Sequence, residues 1–276
     1  MNTDTNDSSF SSLLRQIINL VAIVAAFGIN VFANLNPPNG LTIGDISNQL
    51  FDDILITPAN YAFAIWGIIY LGLISFAIYQ VLPAQRNSLL LQKLGYKIAI
   101  ASGAQIIWVF AFLYQQFFLS LLLMLVILGA LIAGYLVINS PIKSLAQKWF
   151  ITIPINLYLA WISVATVVNV ATALSYYDWR GWGLTPQVWT IVMLVIVSII
   201  GAIMALQKNV PFVGVYIWAL VAISVKNQNN YAIKTTASIA IFILTIILSF
   251  RVLYDGYNKL KIKFDSMKQS YSEKNK

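Results

Sequence analysis

The sequence predicts an all-α integral membrane protein with about eight transmembrane helices, and three observations carry that reading. Hydrophobic residues make up 59% of the 276 and charged residues only 9%, against about 25% charged in a soluble domain. Mean hydropathy is +0.78. The apolar residues fall into eight runs, each near the ~20 residues that cross a ~30 Å hydrocarbon core, where a helix satisfies its own backbone donors and acceptors. Finally, the basic residues are shared unevenly between alternate loops.

Residues 1–16, rich in Ser, Asn, Thr and Asp, read as a disordered lead. The runs follow at about 17 to 35, 59 to 82, 98 to 116, 118 to 139, 150 to 174, 187 to 206, 210 to 226 and 234 to 253. Gln115-Gln116 marks the turn between the third and fourth. No small-x-small cleavage site follows the first run, so it reads as a retained helix rather than a signal peptide. With the N-terminus inside, fourteen of the seventeen basic residues lie on the inner side and only Arg180, Lys226 and Lys234 on the outer. That is the positive-inside pattern, with both termini in the cytoplasm. Residues 255–276 form a basic tail beside the last span, so the net charge of +8 points to membrane lipid and not to nucleic acid.

The chain contains no Cys and no His, which removes disulfides, thiolate nucleophiles, the usual zinc sites, His-based triads and His-ligated haem. No acidic or basic residue lies well inside any run, so proton-coupled pumping has no carrier. Phosphate-cradling loops, nucleophile elbows and paired carboxylates are also missing, and no enzymatic activity, catalytic residue, metal or required cofactor is expected.

The fifth run, Ile153 to Thr172, is apolar yet carries Asn156, Tyr158, Trp161, Ser163, Thr166, Asn169 and Thr172. At 3.6 residues per turn, Tyr158, Trp161 or Ile162, Ala165, Asn169 and Thr172 share one stripe, aromatic at one end, small in the middle and amide-bearing at the other. An amide is costly to expose to hydrocarbon, so the stripe faces other helices or an internal cavity. The second run places Phe63, Trp66 and Tyr70, and the third Gln105 and Trp108, at similar spacings. Two readings stay open: polar and small-residue glue between helices, or the walls of a pocket for a flat, apolar ligand. In the second, the rings stack on the ligand while Gln105 and Asn169 orient its polar edge. The loop Asn36 to Thr57, with its Asn-Pro-Pro-Asn-Gly turn and Asp45, Asp52 and Asp53, is either a lid over that site or a plain connector.

These residues resemble the TspO/MBR family, the translocator or tryptophan-rich sensory proteins. The fifth run is similar to that family's fifth helix in its aromatic before a Trp (Tyr158, Trp161), its Ala165-Thr166 pair and its Asn169. Trp66-Gly67-Ile68-Ile69-Tyr70 resembles its second helix, and Gln105 with Trp108 its third, with Gln where Asn is usual. Asn60 stands where the family has a loop Trp, Phe63 and Ala64 replace prolines, and Leu157 replaces another. The resemblance covers residues 17–176 and implies a TspO-like five-helix bundle around a pocket opening near the first loop. It leaves residues 177–254 as three extra helices. It also implies a tetrapyrrole such as protoporphyrin, or a lipid-like molecule, as a hydrophobic small-molecule ligand, often with homodimer formation, in a carrier, sensor or photochemical role. The ligand-binding residues it implies are Trp66, Tyr70, Gln105, Trp108, Tyr158, Trp161, Ala165 and Asn169. A membrane scaffold that binds a partner through the added helices, and an uncoupled facilitator of a small solute, are the alternatives.

Overall fold

The structure is a computed structural model and describes residues 3–139, 142 and 144–274. Eight helices of 17 or more residues dominate the described residues: α1 (Thr3–Leu35), α2 (Ile65–Val81), α3 (Lys97–Leu113), α4 (Phe117–Ile138), α5 (Ile153–Tyr176), α6 (Pro186–Leu206), α7 (Val210–Lys226) and α8 (Tyr231–Lys274). Six lie in stretches long and apolar enough to cross a membrane, while α3 and α7 are shorter apolar helices of 17 residues each. At ~1.5 Å per residue those two span roughly 26 Å, the low end of what a bilayer core requires.

Helix boundaries follow local chemistry. Left-handed Gln115 (φ 57°) turns the chain between α3 and α4 at the amide pair. Thr185 accepts the Val188 N–H at 3.3 Å, with Pro186 in the first turn, and starts α6. Asn209 and Asn230 accept the N–H groups of Phe212 and Ile233 in the same way at the heads of α7 and α8. Two stretches differ from the sequence reading: the polar lead is drawn into α1 from Thr3, and the basic tail continues α8 to Lys274. In both, an existing helix propagates at the cost of one residue's order per added bond, so polar composition does not stop it. Met1, Asn2, Lys143 and Lys276, part of the lead and of the inner-side charge, lie outside the described residues.

The first five helices close a ring. α1 lies against α2 and α3, α3 against α4, α4 against α5, and α5 returns to α2. The buried residues of α5 (Ile155, Tyr158, Leu159, Trp161, Ile162) and of α3 (Ile98, Ala101, Trp108, Val109) meet inside it. α6, α7 and α8 pack on one another and stand beside the ring, with α7 on α5. The join is partly polar. Ser163 and Tyr216 hydroxyls lie 2.8 Å apart, Asn209 donates to Asn156, and Tyr135 of α4 donates to Gln207.

The loop from Asn36 to Thr57 is not a plain hydrophilic connector. Thr42 and Asp45 form a reciprocal cap, and Ile46, Phe51, Ile54, Ile56 and Thr57 are buried. Asn39 donates to the Leu113 carbonyl at the end of α3 (3.1 Å), fixing the loop over the α3–α4 turn.

Candidate functional site

Seven of the eight residues singled out by sequence lie at or under the inner faces of α2, α3 and α5 as two bonded sets and one ring contact. In the first set the Tyr158 hydroxyl donates to Gln105 Oε1 at 2.6 Å, and Gln105 Nε2 lies 3.5 Å from the Tyr70 hydroxyl, which itself donates to the Ala26 carbonyl of α1 at 3.2 Å. The Trp66 indole stacks on Tyr70 (5.4 Å between centroids, 28°) and meets Tyr158 edge-on at 6.1 Å. Tyr70, Gln105 and Tyr158 are buried, whereas Trp66 is half-buried.

In the second set Trp108 Nε1 donates to Asn169 Oδ1 at 2.9 Å, and Asn169 Nδ2 donates to Ser120 Oγ of α4 at 2.9 Å. An indole N–H and a carboxamide in apolar surroundings each need a partner, and here each supplies the other. Trp161 meets Phe63 edge-on at 5.9 Å. Half-buried Ala165 packs against the core and makes room rather than bonds.

The sequence expects Gln105 and Asn169 to orient one ligand edge together. Instead each already serves a different aromatic: Tyr158 for Gln105, Trp108 for Asn169. The periodicity shows which face the amides take but not that the rings opposite carry donors of their own. The open cleft of about 640 Å³ lies elsewhere, between Leu55, Gln187, Lys226, Asn227 and Tyr231, and none of the eight lines it.

A chain of rings joins the second set to the loop. Phe51 sits edge-on to Phe117 (4.9 Å, 87°), Phe117 to Phe112 (5.4 Å, 82°), and Phe112 lies 5.3 Å from Trp108. α7 holds the same loop from the other side. Asn227 donates to the Leu55 carbonyl at 2.9 Å, Trp218 Nε1 to the Ala62 carbonyl at 3.0 Å, and the Ala59 N–H to the Ala222 carbonyl at 3.2 Å.

The family model of TSPO-like proteins matches residues 16–250. The chain belongs to the TSPO-like family. The match runs through α6 and α7 and into α8, beyond the 17–176 over which the resemblance was legible. No curated protein and no solved structure matches the chain. This TSPO-like bundle also contains buried polar atoms that sequence reasoning missed. Ser102 Oγ of α3, Asn30 Nδ2 of α1 and Thr57 Oγ1 of the loop meet no protein partner, unlike the amides of Gln105 and Asn169. Ser102 is three residues before Gln105, on the same helical stripe, and that spacing is the signal that would have found it.

Proposed function

We propose that this TSPO-like membrane protein binds a flat hydrophobic ligand, a tetrapyrrole or lipid-like molecule, within the α1–α5 ring and acts as a carrier or sensor, not as an enzyme. The observation that carries the reading is the inward burial of Trp108 (5% exposed) and Trp161 (2%) with Tyr158 and Gln105, although indoles are equally at home at a lipid interface. Ring faces from three helices offer stacking. The unpartnered Ser102, Asn30 and Thr57 groups offer hydrogen bonds without breaking existing ones.

Entry runs past the Asn36–Thr57 loop, with Phe51 as the piece that withdraws from Phe117. A guest placed between Tyr158 and Trp66 stacks on the two rings and leaves the Tyr158–Gln105 hydrogen bond in place. With no His or Cys in the chain, such a ligand is held by stacking and hydrogen bonding. Both termini are assigned to the cytoplasm on the charge asymmetry, and a homodimer remains the expected assembly.

The test is tryptophan fluorescence of the purified chain titrated with protoporphyrin. Saturable quenching that weakens in Trp161→Leu and Trp66→Leu supports the reading. Quenching no greater than that of an unrelated membrane protein of similar tryptophan content removes it. Liposome flux of a small solute that survives Trp161→Leu would favour the facilitator instead.

A further inference from the structure

Arg15 of α1 is only 5% exposed, at the end of the ring where α1 meets the segment joining α2 to α3. One guanidinium nitrogen, Nη2, donates to the Arg86 carbonyl at 3.1 Å. Its Nε is shut from solvent and meets no acceptor in the protein, and the same is true of the Nε of half-buried Arg86. The surroundings are tightly tied. Gln80 Nε2 donates to the Gln16 carbonyl at 2.8 Å, Asn19 donates to the Gly95 carbonyl at 2.9 Å, and the Ala99 N–H donates to Asn19 Oδ1 at 3.0 Å. These bonds pin α1 to residues 80–99 and occupy carbonyls that would otherwise be free for a guanidinium.

A buried cation is costly unless it is paired. No Asp or Glu occurs between Asp7 and Asp45 or between Asp53 and Asp178, a range that contains nearly the whole five-helix ring. Among the described residues no acidic side chain pairs with Arg15, and Asp255 pairs instead with Lys208. Lys93 and Lys97 add further positive charge to the segment that covers it, and Lys97 Nζ is turned back onto the Lys93 carbonyl at 2.9 Å.

We propose that Arg15 and Arg86 together hold a phosphate-type oxyanion at this end of the ring, carried by an anionic lipid headgroup or arriving as free phosphate. A guanidinium edge presents donors in a fixed fork that matches phosphate oxygens, and here two such edges have a donor to spare. Arg15 then belongs to a ligand site, and the α2–α3 segment is its cover. The site is independent of whatever the ring interior binds.

The test uses the purified full-length chain in neutral detergent, titrated separately with dihexanoyl phosphatidylglycerol, dihexanoyl phosphatidylcholine and inorganic phosphate, and read by native mass spectrometry and by the thermal midpoint. Binding and a saturable rise with phosphatidylglycerol alone identify a headgroup site. The same response to phosphate identifies a site for the oxyanion itself. In either case Arg86→Gln weakens apparent affinity by about tenfold or more, and Arg15→Lys, which keeps the charge and loses Nε, also weakens it. The proposal is overturned if neither anion binds, if phosphatidylcholine binds as tightly as phosphatidylglycerol, or if the variants bind like the parent. Should Arg15 variants fail to fold, Arg86→Gln decides alone.

Discussion

The Tyr158 hydroxyl of α5 donates to Gln105 Oε1 of α3 across the ring at 2.6 Å, with Tyr158 1% exposed. Two helices not adjacent in the ring are thereby joined through its interior. The bond is shielded from water, so removing one partner leaves the other unsatisfied. Tyr158→Phe is expected to cost about 1–3 kcal/mol, and Tyr158→Phe with Gln105→Leu less than the sum of the two single changes. A double-mutant cycle of unfolding in detergent measures this, and simple additivity would show that the pair does not act as one.

Asn169 carries two roles, accepting from Trp108 and donating to Ser120. Asn169→Leu strands the indole N–H and removes both bonds, whereas Ser120→Ala keeps the Trp108 bond but strands an Asn169 amide hydrogen and loses the Ser120 bond to the Phe117 carbonyl. Both changes are therefore expected to destabilise by roughly 1–3 kcal/mol, the first by more than the second. The Trp108 emission maximum should move in the first variant and stay put in the second.

The carboxyl of Asp45 is held below its ordinary value, first by the Thr42 hydroxyl (2.6 Å) and then by the Thr42 backbone N–H (3.0 Å). A lowered folded-state value means that the cap stabilises the loop above the ordinary aspartate range, near pH 4, and that this contribution is lost as pH falls through the lower folded value. Amide protection factors across residues 36–57, exchange being corrected for its intrinsic pH dependence, should fall as the medium is acidified through that window, which is the acceleration to be scored. In Asp45→Asn the acceleration should be absent, with faster exchange at neutral pH.

Gly201 of α6 lets three helices approach one another. A Cβ placed there would stand 3.0 Å from Leu244 of α8 and 3.0 Å from Tyr216 of α7. Gly201→Val is expected to destabilise by about 1–3 kcal/mol through overpacking, while Gly214→Val, where a Cβ meets nothing within 4 Å, should cost little. Thermal unfolding of the two variants separates packing from a general effect of valine in a helix.

The stripe on α5 was legible because a period of 3.6 places Tyr158, Trp161, Ala165 and Asn169 together and hydrocarbon disfavours exposing the amide. The same logic could not tell which neighbour each polar group meets. Asn156 and Ser163 lie on the same helix but turn toward Asn209 and Tyr216 of α7. Ser120 went unnoticed because a lone serine in an apolar helix is commonplace. In the sequence Arg15 is only one of the fourteen inner-side basic residues. Its burial depends on residues 80–99 folding back over α1, a long-range event that no local pattern announces. The loop was ambiguous because its acids are visible in sequence, while the anchoring of its isoleucines and Phe51 arises only once α3 and α4 are in place.

Leu55, Ala59 and Ala62 are all stitched to α7, two through carbonyls and one through its N–H. A cover fastened on its far edge to a neighbouring trio of helices cannot hinge freely: it either sheds those three bonds or drags α7 along, and α7 is packed on the long α8. Displacement of this segment and the posture of α7 are thus mechanically linked, with the long α8 the next element to feel the strain.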